Sequence, residues 1–290
     1  MQRVHQPAAA SSQSGMPSVT KPERPLAFIL ASTDHGTLIL NRFDECNGPG
    51  GRFGAGYQLL ARASYDPMEV DLMLHLLELR RKHHGDGILA VDCGANLGVH
   101  TIEWAKYMTG WGVVIAFEAQ ERIYYALAGN IAINNCFNAR AINAAVSNRS
   151  GWMKIPQPNY LANASFGSLE LKKMDRTEFI GQSIDYSEDK MVNVPMVHLD
   201  SFSFPRLDIL KIDVEGMELE VIEGAANCIG KNRPIMLVEA LKTDPAALQV
   251  RLESLGYSVF PVGNNFVAVH KQDRCMEGVK FSPAKAASAA

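Results

Sequence analysis

The sequence predicts a doubly wound α/β fold, a mainly parallel sheet covered by helices on both faces and closed by a terminal antiparallel hairpin. Two observations carry that expectation. From residue 88 onward, short apolar and β-branched runs alternate with segments of helical period, the pattern of a parallel sheet whose strands are buried on both faces. Two of those runs end in acidic, glycine-containing turns that open helices, at Val91-Asp92-Cys93-Gly94-Ala95-Asn96-Leu97-Gly98 and at Ile212-Asp213-Val214-Glu215-Gly216. Ligand sites of such sheets lie at the carboxyl ends of the strands.

Residues 1–25 are rich in Ala, Ser, Gln and Pro and lack periodicity, so burial cannot offset the entropy of ordering them. A disordered tail is expected there, and another over 282–290. An extension over 26–64 follows: Leu26 to Ala31 and Thr37 to Leu40 flank the hairpin turn Thr33-Asp34-His35-Gly36, and Asn47 to Gly56 reads as a glycine-rich loop. Asp66-Pro67-Met68-Glu69 opens a helix with an N-cap acid, proline at the first helical position and Glu at the third, close to a capping box. Val70, Met73, Leu74 and Leu77 form its buried face, and Gly85 with Gly87 ends it.

The main domain, 65–281, places strands near 88–92, 113–118, 140–146, 207–213, 234–239, 257–261 and 265–270. Helices fall near 98–109, 121–134, 216–229 and 244–255, and Gly263-Asn264-Asn265 joins the last two strands as a hairpin. The alternation breaks over 148–206, where Trp152 to Ile155 and Met191 to Leu199 read as strands around a polar stretch containing Asn159 to Gly167. An insertion of that length inside a compact domain points to substrate recognition or to covering the site.

Composition narrows the function classes. With 290 residues, 47% of them hydrophobic, the chain can bury a substantial core as one catalytic domain with an extension. Its net charge of −3, from 28 basic and 31 acidic residues, gives no global positive field for nucleic acid. The dense basic cluster Arg80-Arg81-Lys82-His83-His84 complements a helix C-terminus. Five cysteines, Cys46, Cys93, Cys136, Cys228 and Cys275, stand far apart without a C-x-x-C pair, which suggests neither a disulfide framework nor a zinc site. No run reaches membrane-spanning length and the N-terminus lacks the order of a secretory signal, so a cytoplasmic protein without membrane insertion is expected.

The first turn has the features of a cofactor site. Gly94 and Gly98 permit positive φ and a close approach of ligand to backbone. Glu118 ends the next apolar run twenty residues after Gly98, the spacing at which an acid accepts hydrogen bonds from ribose hydroxyls. The turn is G-x-x-x-G and lacks the middle glycine of the dinucleotide fingerprint, which favours a nucleoside cofactor without phosphates, such as S-adenosyl-L-methionine. At the second turn Asp213 and Glu215 face the same side if the extended conformation persists, and the fourth strand of a doubly wound sheet lies beside the first. Topology therefore brings them near Asp92 and Gly94, although Glu215 also suits the positive end of the helix that follows.

These segments resemble the FkbM family of S-adenosylmethionine-dependent methyltransferases. The family's first motif, close to V-D-x-G-A-N-x-G, is matched by Asp92, Gly94, Ala95, Asn96 and Gly98. The second, close to L-K-I-D-V-E-G-x-E, is matched by Leu210-Lys211-Ile212-Asp213-Val214-Glu215-Gly216-Met217-Glu218, followed by Glu223-Gly224-Ala225. The resemblance spans residues 65–240 and implies a Rossmann-like, class I methyltransferase fold that methylates a hydroxyl of a sugar, glycan or polyketide-like small molecule. Carried across by residue, it puts Asp92, Gly94, Ala95, Asn96 and Gly98 around the amino-acid part of the cofactor and Glu118 on its ribose. Tyr65, Asp66 and Glu69 would close over it.

Transfer from a sulfonium to an alcohol is an in-line displacement that needs alignment and a base. Asp213 is the expected base and Glu215 the orienting group. Alternatively Asp213, Glu215 and Glu239 bind a divalent cation, with His198 or Asp200 as further ligands. His198 reads as a structural histidine rather than a ligand or base, and His100, although close to the glycine turn, as a helix-surface residue rather than a cofactor contact. Two other classes stay open, a nicotinamide-dependent oxidoreductase and a non-catalytic nucleoside-binding module. Nucleic-acid methylation is disfavoured by the charge balance and by the lack of a base-clamping N/D-P-P-Y motif.

Overall fold

The computed structural model describes residues 23–48, 51–175 and 177–278; the tails expected over 1–25 and 282–290 lie outside them apart from 23–25. Strands β1 (Phe28–Thr33) and β2 (Gly36–Asn41) form the expected hairpin. The next stretch corrects the loop expected over 47–56. Cys46–Gly48 (β3) pairs with Gly51–Phe53 (β4), and Ala55–Arg62 (α1) is a helix. Glycine there serves close packing: a Cβ on Gly56 would lie 2.5 Å from the Asn41 carbonyl oxygen, so α1 presses its backbone against the chain leaving β2.

Helix α2 (Pro67–His84) begins on the predicted proline but without the predicted capping box. Asp66 sits in the left-handed region at φ 36° and its side chain makes no cap hydrogen bond. Glu69 turns inward instead, to His100 and Asn265.

The central sheet is built from β5 (Ile88–Cys93), β6 (Gly112–Glu118) and β7 (Ala139–Asn143), with helices α3 (Val99–Tyr107) and α4 (Glu121–Ile133) between them. Ala145–Val146 (β8), Gly151–Pro156 (β9) and Met191–Val197 (β10) come next and belong to a separate small sheet. The chain then returns through β11 (Ile209–Ile212), α5 (Glu218–Gly224), α6 (Ala226–Asn232), β12 (Ile235–Glu239) and α7 (Pro245–Ser254). The hairpin β13 (Tyr257–Val262) and β14 (Asn265–His270) closes it.

The strand order is β13-β14-β12-β11-β5-β6-β7, with β14 antiparallel to both neighbours and the other pairs parallel. The predicted doubly wound sheet and terminal hairpin are therefore present. Because side chains alternate across a strand, β5 sends Leu89, Val91 and Cys93 to one apolar layer and Ile88 and Ala90 to the other. The order reverses between β5 and β11, which places a crevice at their carboxyl ends.

Two long elements of the sequence reading divide. The strand expected over 140–146 ends at Asn143, and β8 leaves the main sheet to run parallel to β10. The helix expected over 216–229 becomes α5 and α6, broken at Ala225, whose φ of −114° is not helical. Within the insertion, β9 and β10 pair antiparallel, and among the described residues between them the regular element is a 3₁₀ turn at Phe166–Ser168. No helix among the described residues is long and apolar enough to cross a membrane.

Candidate active site

The carboxyl ends of β5, β6 and β11 open into a cleft. The two acidic turns contribute Gly94, Asn96, Asp213, Val214 and Glu215, and the ends of β6 and β12 contribute Phe117, Glu118 and Glu239. Ala119, Ala144, Ala145, Val146 and Leu171 add apolar surface. The N-terminal extension supplies Phe53 and Gln58, the turn into α2 supplies Tyr65, and the insertion supplies Ser165, Gly167, Ser168 and Leu169.

The residues expected around a cofactor separate into two groups. Gly94, Asn96 and Glu118 line the cleft. Asp92, Ala95, Gly98 and Glu69 stand behind it and hold the turn. Asp92 is 1% exposed, accepts from the Thr101 hydroxyl at 2.7 Å, and lies 3.8 Å from Lys211 Nζ. Ala95 packs with Ala116 and Leu127, and a Cβ on Gly98 would lie 2.4 Å from Leu127 Cδ1. Glu69 Oε1 meets His100 Nε2 at 2.9 Å and Oε2 accepts from Asn265 Nδ2 at 2.6 Å, so His100 is buried rather than on a helix surface. Burial alone would raise the Glu69 carboxyl, but His100 and Lys211 hold it below its ordinary value.

Gly94 has φ +80°, and a Cβ there would sit 1.7 Å from the Asp213 carbonyl oxygen. The close approach that requires glycine is between the two acidic turns themselves. Asn96 follows at φ 50°, and its N–H donates to Glu118 Oε2 at 2.9 Å while the Gln120 N–H donates to Oε1 at 2.8 Å. Burial raises the Glu118 carboxyl to about 7 even against these two donors. Asn96 Oδ1 is buried without a hydrogen-bond partner.

At the second turn a lysine joins the acids. Lys211, in mid-β11, places Nζ 2.8 Å from Asp213 Oδ2. Burial would lower its proton affinity, but Asp213, Asp92 and Glu69 outweigh this and keep the ammonium charged. The extended conformation stops at Asp213, because Glu215 is left-handed at φ 56°; both side chains still reach the cleft. Glu215 pairs with Lys242 Nζ at 2.7 Å. The helix-opening role falls to Glu218, whose Oε1 accepts the N–H groups of Val214 and Gly216 at 3.1 Å each and whose Oε2 accepts the Thr243 hydroxyl.

Glu239 completes the cluster: ligand atoms of Asp213, Glu215 and Glu239 lie within 4.8 Å of one another. Glu239 Oε2 is buried without a hydrogen-bond partner, and burial together with Asp213 and Glu215 pushes its carboxyl above the usual range. The further ligands of the expected cation site do not arrive. His198 Nδ1 meets Ser150 Oγ at 2.9 Å, and Asp200 caps α6 by accepting from the N–H groups of Asn227 and Cys228 at 2.9 and 2.8 Å. Lys211 and Lys242 already stand against two of the three carboxylates.

Lys211 had a legible signal, a lone charge inside the apolar run Ile209-Leu210-Lys211-Ile212, since a charge buried in a central strand must find a partner. Lys242, in the loop after β12, and Phe53 and Gln58, in β4 and α1 where the sequence suggests only a glycine-rich loop and its flank, had none, because tertiary contacts bring these segments to the cleft.

The sequence profile described as the methyltransferase FkbM domain matches residues 92–259. Methyltransferase sdnD of Sordaria araneosa is 26% identical over 153 residues, covering 46% of this chain and 59% of that protein. Methyltransferase 1 of Beauveria bassiana (strain ARSEF 2860) is 24% identical over 187 residues, covering 60% of this chain and 74% of that protein. The chain thus spans less than two thirds of the first of these relatives. Among solved structures, methyltransferase FkbM from Methylobacillus flagellatus KT is similar with a TM-score of 0.43 and 14% identity, covering 74% of this chain and 57% of that one. A methyltransferase from Geobacter sulfurreducens gives 0.44 and 13%, covering 74% and 86%.

Proposed function

This chain belongs to the methyltransferase FkbM domain family, and we propose that it uses S-adenosyl-L-methionine to methylate a hydroxyl of a sugar, glycan or polyketide-like small molecule. The observation that carries the reading is Glu118, held at the end of β6 by two backbone N–H groups in the cleft that Asn96, Asp213 and Glu239 also line. The residues fit such a cofactor. Glu118 suits ribose hydroxyls, the unpartnered Asn96 Oδ1 suits an ammonium or hydroxyl donor, and Phe117, Ala119, Ala144, Val146 and Leu171 offer apolar surface to a purine. When bound, the sulfonium supplies an electrophilic methyl group.

The acceptor hydroxyl must give up its proton, and the ion pairs redistribute the expected roles. Asp213 is engaged by Lys211 and Glu215 by Lys242, which suits both to orienting the acceptor. Glu239, with an unpartnered oxygen in the cleft and a carboxyl pushed up to about 9, is the proton acceptor in its ionised form, whose share grows as pH rises towards that value. With the cofactor bound, the acceptor O–C bond would form as the methyl–sulfur bond breaks and S-adenosylhomocysteine leaves, and the hydroxyl proton would pass to ionised Glu239. Glu239→Gln is expected to keep S-adenosylhomocysteine binding and to lose about a hundredfold or more in turnover.

The test of the cofactor is thermal stabilisation by S-adenosylmethionine and S-adenosylhomocysteine, with NAD as control. A ligand at about a hundred times its dissociation constant adds roughly 2.7 kcal/mol. A shift with both adenosyl ligands and none with NAD supports the reading. No shift with them, or a shift with NAD alone, overturns it in favour of a nicotinamide enzyme or a binding module.

A further inference from the structure

Lys242 lies in the loop between β12 and α7, where a lysine is ordinarily solvated, yet its side chain is 7% exposed. Its Nζ lies 2.7 Å from Glu215, 3.1 Å from Glu178 and 3.7 Å from Glu170, and it donates to the Ser168 carbonyl. Three of these partners belong to the insertion and the fourth to the acidic turn after β11. The insertion residues Ser165, Gly167, Ser168, Leu169 and Leu171 form a wall of the cleft. After the 3₁₀ turn the described residues up to β10 contain neither strand nor helix, and backbone bonds hold the wall at its start, where the Ala164 N–H donates to the Phe43 carbonyl at 3.0 Å and the Ser165 N–H to the Ile180 carbonyl at 2.7 Å. Its beginning is fixed where the Phe166 N–H donates to Asp44 Oδ1 at 3.0 Å and the Phe166 carbonyl accepts from Gln120 Nε2 at 2.8 Å.

We infer that Lys242 is a positioning residue that fastens the insertion over the cleft through Ser168, Glu170 and Glu178, ties it to Glu215, and so sets how long a bound cofactor stays. Its removal leaves three carboxylates facing one another without a counter-charge, and breaking a buried pair from one side costs more than the intact pair contributes. Lys172 is the built-in comparison. It joins the same insertion to Glu220 at 2.6 Å, but with 43% of its side chain exposed it is screened by solvent.

The fastening is independent of the ligand's identity, whereas the residence time rests on the proposed cofactor. Hydrogen exchange of the unliganded full chain reads the first, following the amides of Ser168 and Leu169, with the Phe166 amide, held by Asp44, as the internal reference. Lys242→Met is expected to speed their exchange by about tenfold or more while β5 and β11 stay protected, with Lys172→Met unchanged and Lys242→Arg close to wild type. Release of S-adenosylhomocysteine from the immobilised protein reads the second, and should quicken by a similar factor in Lys242→Met. Wild-type exchange in the wall, or loss spread evenly across the sheet, overturns the inference. Failure of the wild-type protein to bind S-adenosylhomocysteine overturns the cofactor reading and leaves exchange to decide the fastening. If Lys242→Met does not fold, Glu178→Gln, at a side chain 39% exposed, takes its place with a smaller acceleration of the same amides; no acceleration there rejects the proposal.

Discussion

A carboxylate buried at a strand end is unfavourable in proportion to the water it has lost, and Glu118 shows how far two N–H donors compensate. Its folded-state carboxyl is raised from 4.5 to about 7, so its contribution to the stability of the unliganded protein is fully present below about 4.5 and is lost as pH rises through about 7. Ribose hydroxyls donate to the ionised form, which gives the ligand the opposite slope. The thermal shift caused by S-adenosylhomocysteine should therefore grow between pH 6 and 8 in the wild type and stay flat in Glu118→Gln. Scanning fluorimetry with and without ligand checks this, and equal growth in both proteins would assign the titration to another group. Gly94 is subject to a harder constraint. Gly94→Ala puts a Cβ 1.7 Å from the Asp213 carbonyl oxygen at φ +80°, and should destabilise the fold by about 2–5 kcal/mol in urea titration while abolishing the ligand-induced shift. The sequence made Gly94 legible as a special position but not its reason, because the backbone it must avoid comes from a turn more than a hundred residues away.

Elements were legible where one physical rule fixed them and less so where two competed. The runs that became β5, β6, β11 and β12 are apolar because both sheet faces are covered, and that pattern needs no tertiary information. Helix α1 was hidden because Gly54 and Gly56 resemble loop residues, while the packing that needs them exists only once β2 has formed. The division at Asn143 was equally hidden, since Ala145 and Val146 suit either sheet and β10, far along the chain, recruits them. Between β11 and α5 the deciding element is the turn that Glu218 closes, with one oxygen on two N–H groups and the other on Thr243. Glu218 is 0% exposed, so Glu218→Ala leaves those donors buried without a partner. The expected cost is about 3 kcal/mol, and the turn carrying Asp213 and Glu215 should lose its order. Urea titration measures the first and the affinity for S-adenosylhomocysteine the second; a stable variant with wild-type affinity would show that α5 alone shapes the turn.

At the scale of the whole molecule, the boundary expected at residue 64 does not divide two cores. Leu38, Leu40 and Leu59, each at most 2% exposed, belong to the same apolar layer as Met73 and Leu77 of α2 and Ile88 of β5. Asn130, 0% exposed on α4, bonds the N–H and the carbonyl of Ile39 and also the Leu97 carbonyl beside the glycine turn. The extension therefore supports the cofactor turn from behind while giving Phe53 and Gln58 to the cleft in front. The FkbM profile begins at residue 92, so the share of this layer that comes from the extension, α2 and Ile88 lies outside the family match, while Ile102, Trp104 and Ile209 of the same layer lie within it. A chain beginning at residue 65 loses the cover of that layer and leaves Asn130 facing no partner on β2. It is expected to show no cooperative unfolding transition, whereas a chain beginning at residue 23 should unfold in a single transition with the wild-type midpoint. Circular dichroism in urea separates the outcomes. A cooperative fold for residues 65–290, or two transitions in the full chain, would make the extension a separable unit.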